Sequence, residues 1–309
     1  MDLSTLAAAK RTFDSEGYAI FKNVVSRPTL ERAQAAYQRM LKKAETGQYP
    51  HFRIYDDLLQ ANIAGIEHIF HRDIFESDLF DAVVESGLLP ISMAMLGTEA
   101  PVMLLNRIHC TTRYSHTGMW HRDASPGTQP HVQMALFLFD ENDFMVIPSS
   151  HQRDLNAIER EAIARSSKAL MPGECAIGGK AGDLMLFKSA ILHRGRCVQQ
   201  RASVHFRIGP GPEGAQVDAH RREWFNREVV IERCDQAWRT LFATTMRDGE
   251  DNALSARGIF DHTPRRVVKR LCGTALHHLL FMLPESHALF ERFKWVTPNL
   301  RLRQRFELK

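Results

Sequence analysis

The chain has 309 residues, 44% apolar and 25% charged, with a net charge of +4. This is the make-up of an ordinary globular fold with a sizeable core, and it argues against disordered, collagen-like or disulfide-framed classes. No run approaches the roughly 20 uninterrupted apolar residues of a spanning helix, and MDLSTLAAAKRTFDSEGY has no apolar leader core, so neither a membrane span nor a secretory signal is expected. Five scattered cysteines, odd in number and without a C-x-x-C, predict a reducing, cytoplasmic setting rather than a zinc finger.

In chain order, LSTLAAAKRTFDSEG reads as a helix that stops near Gly17, and YAIFKNVV as a short strand. Ser26 and Pro28 then suit the start of a helix through PTLERAQAAYQRMLKKAETGQ. Residues 74–97 are helical by period, broken near Gly87 and Pro90, with Phe75, Leu79, Phe80 and Val83 on one stripe. From residue 101 the texture changes. PVMLLNRIHCTT, HVQMALFLF, FMVIPSS, GDLMLFKSAILH and ASVHFRI are short, apolar or alternating, and separated by Gly, Pro and Asp turns. One helical insertion is expected at 155–170. After about residue 218 the chain returns to helix, with Thr263 and Pro264 opening a segment that carries Val267, Leu271, Ala275, Leu279 and Met282 on one face. Residues 264–309 hold ten Lys/Arg against three Asp/Glu. That segment is expected to dock on the body or to touch a membrane surface. The pattern predicts one mainly β domain over 1–309. Helices fill 1–100, a jelly-roll core fills 101–217, and a helical, basic section fills 218–309.

The tripeptide HRD occurs twice, at 71–73 and 121–123. A kinase catalytic loop would need Asn five residues beyond each Asp, where this chain has Asp78 and Thr128. It would also need a glycine loop, a V-A-I-K lysine and D-F-G, and none is present; residues 143–145 read D-F-M. A metal site is the other reading. On extended backbone, residues i and i+2 point the same way, so His121 and Asp123 can share one ion; helical spacing around His71 and Asp73 turns that pair apart. Seventy residues after Asp123, GDLMLFKSAILHRG ends an apolar strand in His193, and Arg201 opens the next strand. A guanidinium there suits the far carboxylate of a dicarboxylate.

These ordered residues resemble the phytanoyl-CoA dioxygenase-like branch of the Fe(II)/2-oxoglutarate-dependent oxygenases, over most of residues 10–208. FDSEGYAIFKNVVSRPTLERA is similar to the family's opening, MWHRD to its tryptophan-flanked H-x-D, IPSSH to its P-G-S-H turn, and AGDLMLF…LHRG…R to its distal His and Arg. The resemblance implies a cupin-like double-stranded β-helix, with Fe(II) held by His121, Asp123 and His193 and 2-oxoglutarate anchored by Arg201. It implies O2-dependent decarboxylation to succinate and CO2, coupled to hydroxylation of an unactivated C–H bond. Desaturation and ring formation remain open outcomes. A carboxylate ligand at Asp123 leaves no place for a halide, which points away from a halogenase. There are two departures. Ser149 replaces the usual Gly of the turn, and the gap from His193 to Arg201 is short, so Arg207, of the same strand parity, is the alternative anchor. Asn106 is a candidate donor to the C1 carboxylate of 2-oxoglutarate.

Arg107, His109, Arg113, His116, His151, Arg194 and Arg196 lie in segments expected to ring the site mouth, with Trp120 beside the first ligand. Of these, Arg107, His109, Trp120 and His151 are the candidate substrate contacts. Such a collar favours a small anionic substrate: an acyl thioester, a phosphorylated sugar or lipid, or a carboxylic acid. Nucleic acid is not expected, because aromatics do not interleave with the basic residues. A non-redox metal isomerase or sensor on the same barrel is the competing reading. The difference between the two tripeptides is testable. Asp123→Ala should abolish iron-dependent succinate release, whereas Asp73→Ala should leave it nearly intact.

Overall fold

The computed structural model describes residues 3–45, 75–110, 120–128, 131–166, 169–197 and 201–210, short pieces between 56 and 70, residues 116–117, and Trp238 and Leu241. The HRD tripeptide at 71–73 and the basic segment 264–309 lie outside the described residues. Helix α1 (Leu3–Glu16) leads into strand β1 (Tyr18–Phe21), then α2 (Arg27–Glu45). Short strands β2 (Asp56–Asp57), β3 (Asn62–Ile63) and β4 (Gly65–Glu67) precede α3 (Ser77–Glu85) and α4 (Leu88–Leu96). The β section follows: β5 (Val102–Cys110), β6 (His116–Thr117), β7 (Val132–Phe137) and β8 (Glu141–Val146). Helix α5 (Ala157–Arg165) interrupts it before β9 (Cys175–Gly179), β10 (Leu184–Lys188), β11 (His193–Cys197) and β12 (Ala202–Gly209).

Apart from the small β2-β3 pair, the strands form two facing antiparallel sheets, ordered β1-β10-β7-β12-β5-β4 and β6-β11-β8-β9. From β5 to β12 the chain passes repeatedly from one sheet to the other, which is the winding of a double-stranded β-helix. Alternation within the large sheet sets its two faces. Met134, Leu136, Leu184, Leu186, Val204 and Phe206 pack outward against Phe13, Ala33, Met40, Leu79 and Phe80 of the helical layer. Ala135, Phe137, Met185 and Phe187 point inward and meet Phe144, Val146 and Ile177 of the small sheet. Helices α1 to α4 therefore cover one face of the large sheet, α5 packs through Ile163 beside Met145 of the small sheet, and the space between the sheets is left to the site. Trp238 and Leu241 pack onto the same helical layer, and Trp238 meets Phe80 edge-on at 5.5 Å.

Several local expectations hold for physical reasons. Helix α1 stops at Gly17, whose φ of +87° suits glycine, and a Cβ there would lie 2.6 Å from His151 Nδ1. α3 and α4 separate at Gly87, with φ +70°. The inserted helix is shorter than 155–170. It is opened by Asn156, whose side chain accepts from the Glu159 amide while Glu159 reaches back to the Asn156 amide. Ser149, where the family turn carries Gly, adopts φ +60°, and its hydroxyl donates to the Ser15 carbonyl at 2.9 Å. Among the described residues no single helix is long and apolar enough to cross a membrane.

Phe80 is 2% exposed, and its ring meets Phe70 edge-on at 5.5 Å. Phe80→Ala should destabilise the fold by about 3–5 kcal/mol, read as a lower urea midpoint.

Candidate metal centre

Two distant segments are stitched together before any side chain is considered. The His121 amide donates to the His193 carbonyl at 2.9 Å, and the His193 amide donates to the His121 carbonyl at 3.0 Å. Asp123 N–H donates to Ser189 O at 2.8 Å. His121 thus sits in a one-residue bridge rather than a regular strand, because the turn through Ser125, Pro126 and Gly127 ends the pairing. One ligand atom each from His121, Asp123 and His193 lie within 4.8 Å of one another. His193 is buried, and its Nδ1 lies 2.9 Å from the Ile191 carbonyl. A carbonyl can only accept, so Nδ1 carries the proton, and Nε2, 3.7 Å from Asp123 Oδ2, keeps its lone pair. Two imidazoles and one carboxylate of this kind fit a facial Fe(II) donor set.

Asp123 is held from the large sheet. Gln133 Nε2 donates to Oδ2, and Arg207 Nη2 lies 3.5 Å from Oδ1. Gln133 and Arg207 face each other in register on β7 and β12, so adjacent strands grip one carboxylate. Gln133 was not among the sequence candidates. The available signal was one polar residue at an inward position of the apolar strand VQMALF.

Further along the interior, β5 and β12 present Arg107, His109, Ser203 and His205 on one face, with Arg201 just ahead of β12. Arg107 Nε donates to His205 Nδ1 at 3.3 Å, and the His109 and His205 rings lie 5.1 Å apart. Desolvation, reinforced by Arg107 and Arg201, holds both imidazoles well below their usual range. His109 keeps some surface on the interior yet lies too deep for bulk water to support its charge. Arg201 Nε lies 3.0 Å from Oε1 of the buried Glu141.

The remaining candidates are not brought to the ligands. Asn106 pairs in register with Phe206 and faces the helical layer, so strand parity turns it away from a 2-oxoglutarate role. Trp120 is fully buried and donates to the Ala169 carbonyl at 2.8 Å, and Arg194 stacks on it at 4.5 Å while pairing with Glu174. His151 is buried against the end of α1, with Nε2 3.1 Å from the Asp14 carbonyl. All three side chains are buried and held by these partners. Arg113 and the side chains of His116 and Arg196 lie outside the described residues. Of the expected collar, Arg107 and His109 face the interior.

Over residues 13–199 the chain matches the sequence model of the phytanoyl-CoA dioxygenase family. No curated protein sequence gives a match. Among solved structures it is similar to EctD from S. alaskensis with 2-oxoglutarate and 5-hydroxyectoine, at 17% identity and TM-score 0.51, covering 68% of this chain and 76% of that one. It is similar to the epimerase SnoN in complex with Fe3+, alpha ketoglutarate and nogalamycin RO, at 14% identity and TM-score 0.51, covering 68% and 85%. It is also similar to the carbocyclase SnoK from nogalamycin biosynthesis, at 16% identity and TM-score 0.50, covering 69% and 88%. At these identities the likeness is one of fold.

The depressed imidazoles have a consequence for stability. His109 and His205 stay neutral in the folded chain, whereas unfolded histidine takes a proton near pH 6.5. The unfolded state then binds more protons as pH falls below about 6.5, so stability should drop there, above the range where carboxylates titrate. Melting temperatures between pH 7.5 and 5.5 check this, and the slope should flatten in a His109→Asn/His205→Asn variant.

Proposed function

The chain belongs to the phytanoyl-CoA dioxygenase family of Fe(II)- and 2-oxoglutarate-dependent oxygenases, and on that premise we propose that it hydroxylates an unactivated C–H bond of a small anionic molecule. The observation that carries the assignment of the centre is the convergence of His121, Asp123 and His193, with the His193 tautomer fixed by Ile191. These three residues would hold the iron. When bound, iron with 2-oxoglutarate and O2 supplies oxidising power, coupling release of succinate and CO2 to hydroxylation of the substrate.

The chain's own residues orient and enclose. Gln133 and Arg207 fix the direction of the Asp123 carboxylate. Phe144 and Phe187 lie against the His193 ring, at 5.2 and 5.1 Å, and keep water from that side of the centre. Arg201 is the better anchor for the distal carboxylate of 2-oxoglutarate, because Arg207 meets the ligand carboxylate of Asp123 through a terminal nitrogen, Nη2, whereas Arg201 approaches Glu141 through Nε. A Cβ at Gly195 would lie 3.5 Å from Arg201 Nη1. Gly195 is two residues along β11 from His193, about 6.6 Å of strand rise, which suits the reach of a five-carbon diacid. Ser203 shares the inward face and offers a hydroxyl to the same carboxylate. The family match ends at residue 199, so Arg201 rests on this geometry. An anionic substrate is favoured by Arg107, which stays half-buried on the interior face beside His205.

The test is O2-dependent succinate release from 2-oxoglutarate by Fe(II)-loaded protein, screened against small carboxylates, phosphate esters and acyl thioesters. His121→Ala and Asp123→Ala should lower turnover by about a hundredfold or more. Arg201→Ala should raise KM for 2-oxoglutarate, while Arg207→Ala should weaken iron binding instead. Turnover that ignores His121→Ala, or activity without 2-oxoglutarate, would return the non-redox isomerase or sensor to first place.

A further inference from the structure

Glu141, the first residue of β8, is a carboxylate buried inside the fold, with a side chain 1% exposed. A carboxylate so placed next to a site for a dianion is costly on two counts: its own desolvation and its repulsion of the incoming ligand. Arg201 Nε lies 3.0 Å from its Oε1, and the Arg201 side chain is 14% exposed. Arg201 stands just ahead of β12, outside the regular ladder, so backbone pairing does little to aim its long side chain. The two residues come from different sheets: Glu141 from the small sheet and Arg201 from the edge of a large-sheet strand. The ion pair is at Nε, on the chain side of the guanidinium. The tip turns toward β11, where Gly195 leaves it room: Nη1 is 3.5 Å from the position a Cβ would take.

We infer that Glu141 is a positioning residue for 2-oxoglutarate binding. It grips Arg201 by the Nε side and so aims the two terminal nitrogens along β11 toward the end that carries His193. Three nitrogens in a rigid plane make this division of labour available to arginine, since one edge can be tied down while another meets a second carboxylate bidentately. Glu141 would then act through Arg201 without touching the co-substrate. The inference rests on Arg201 being the anchor for the distal carboxylate.

The experiment is anaerobic calorimetric titration of 2-oxoglutarate into Fe(II)-loaded protein, with a melting curve for each variant, followed by steady-state kinetics. Glu141→Ala and Glu141→Met, the second of which keeps the volume, should weaken 2-oxoglutarate binding by about tenfold or more. At saturating 2-oxoglutarate, kcat should stay within about threefold of the wild type. Glu141→Gln keeps the volume and an oxygen beside Nε, and should restore binding to within about threefold. Arg201→Ala should weaken binding at least as much as any Glu141 variant. If Arg201→Ala is weak but folded Glu141→Ala or Glu141→Met binds 2-oxoglutarate like the wild type, Glu141 is a structural ion-pair partner only and the inference fails alone. A tenfold loss in Glu141→Gln would show that charge rather than direction governs, and would also overturn it. If Arg201→Ala binds normally, the anchor assignment itself is wrong.

Discussion

Two backbone hydrogen bonds between His121 and His193 are the constraint on which the centre depends. They join the segment after β6 to the first residue of β11, seventy-two positions later in the chain. Both bonds are main-chain, so they bring the two backbones together, and the imidazole rings lie 4.2 Å apart. The Ser189 carbonyl then takes the Asp123 amide and sets the third donor. A metal arriving there meets ligands whose backbones are already fixed, so binding loses little freedom.

The second level of order comes from the large sheet. Its outward residues anchor it to the helices through a dry apolar layer, and that leaves its inward residues free to be polar. Gln133, Ser203, His205 and Arg207 occupy positions that a simple sandwich would fill with Leu or Val. Buried polar groups of this kind cost stability unless they are paired, and here Gln133 and Arg207 meet Asp123 while His205 accepts from Arg107. Stability is invested in the helix-facing side and released at the interior.

Much of this was legible in the chain. The H-x-D, the distal His and the following Arg occur in an order that extended backbone can fold onto one ion, and strand alternation in ASVHFRI already separates Val204 and Phe206 from His205 and Arg207. What could not be read was the face on which each neighbour falls. Trp120, Arg194 and Asn106 each stand one position from an inward residue, and a step of one residue reverses direction on extended backbone. His151 was drawn in by its family turn, but the turn packs on α1. Gln133 and Glu141 were missed because their roles depend on strand pairing across the molecule, which short-range sequence pattern does not encode. The tripeptide at 71–73 lies outside the described residues, so its separation from 121–123 rests on periodicity.

The most direct measurement is anomalous scattering at the iron edge from crystals grown with Fe(II) and 2-oxoglutarate under anaerobic conditions. The account predicts one strong peak within bonding distance of the His121 ring, the Asp123 carboxylate and His193 Nε2, with the diacid extending along β11 to Arg201. An iron peak away from these three side chains, or a diacid directed to Arg207, would contradict it.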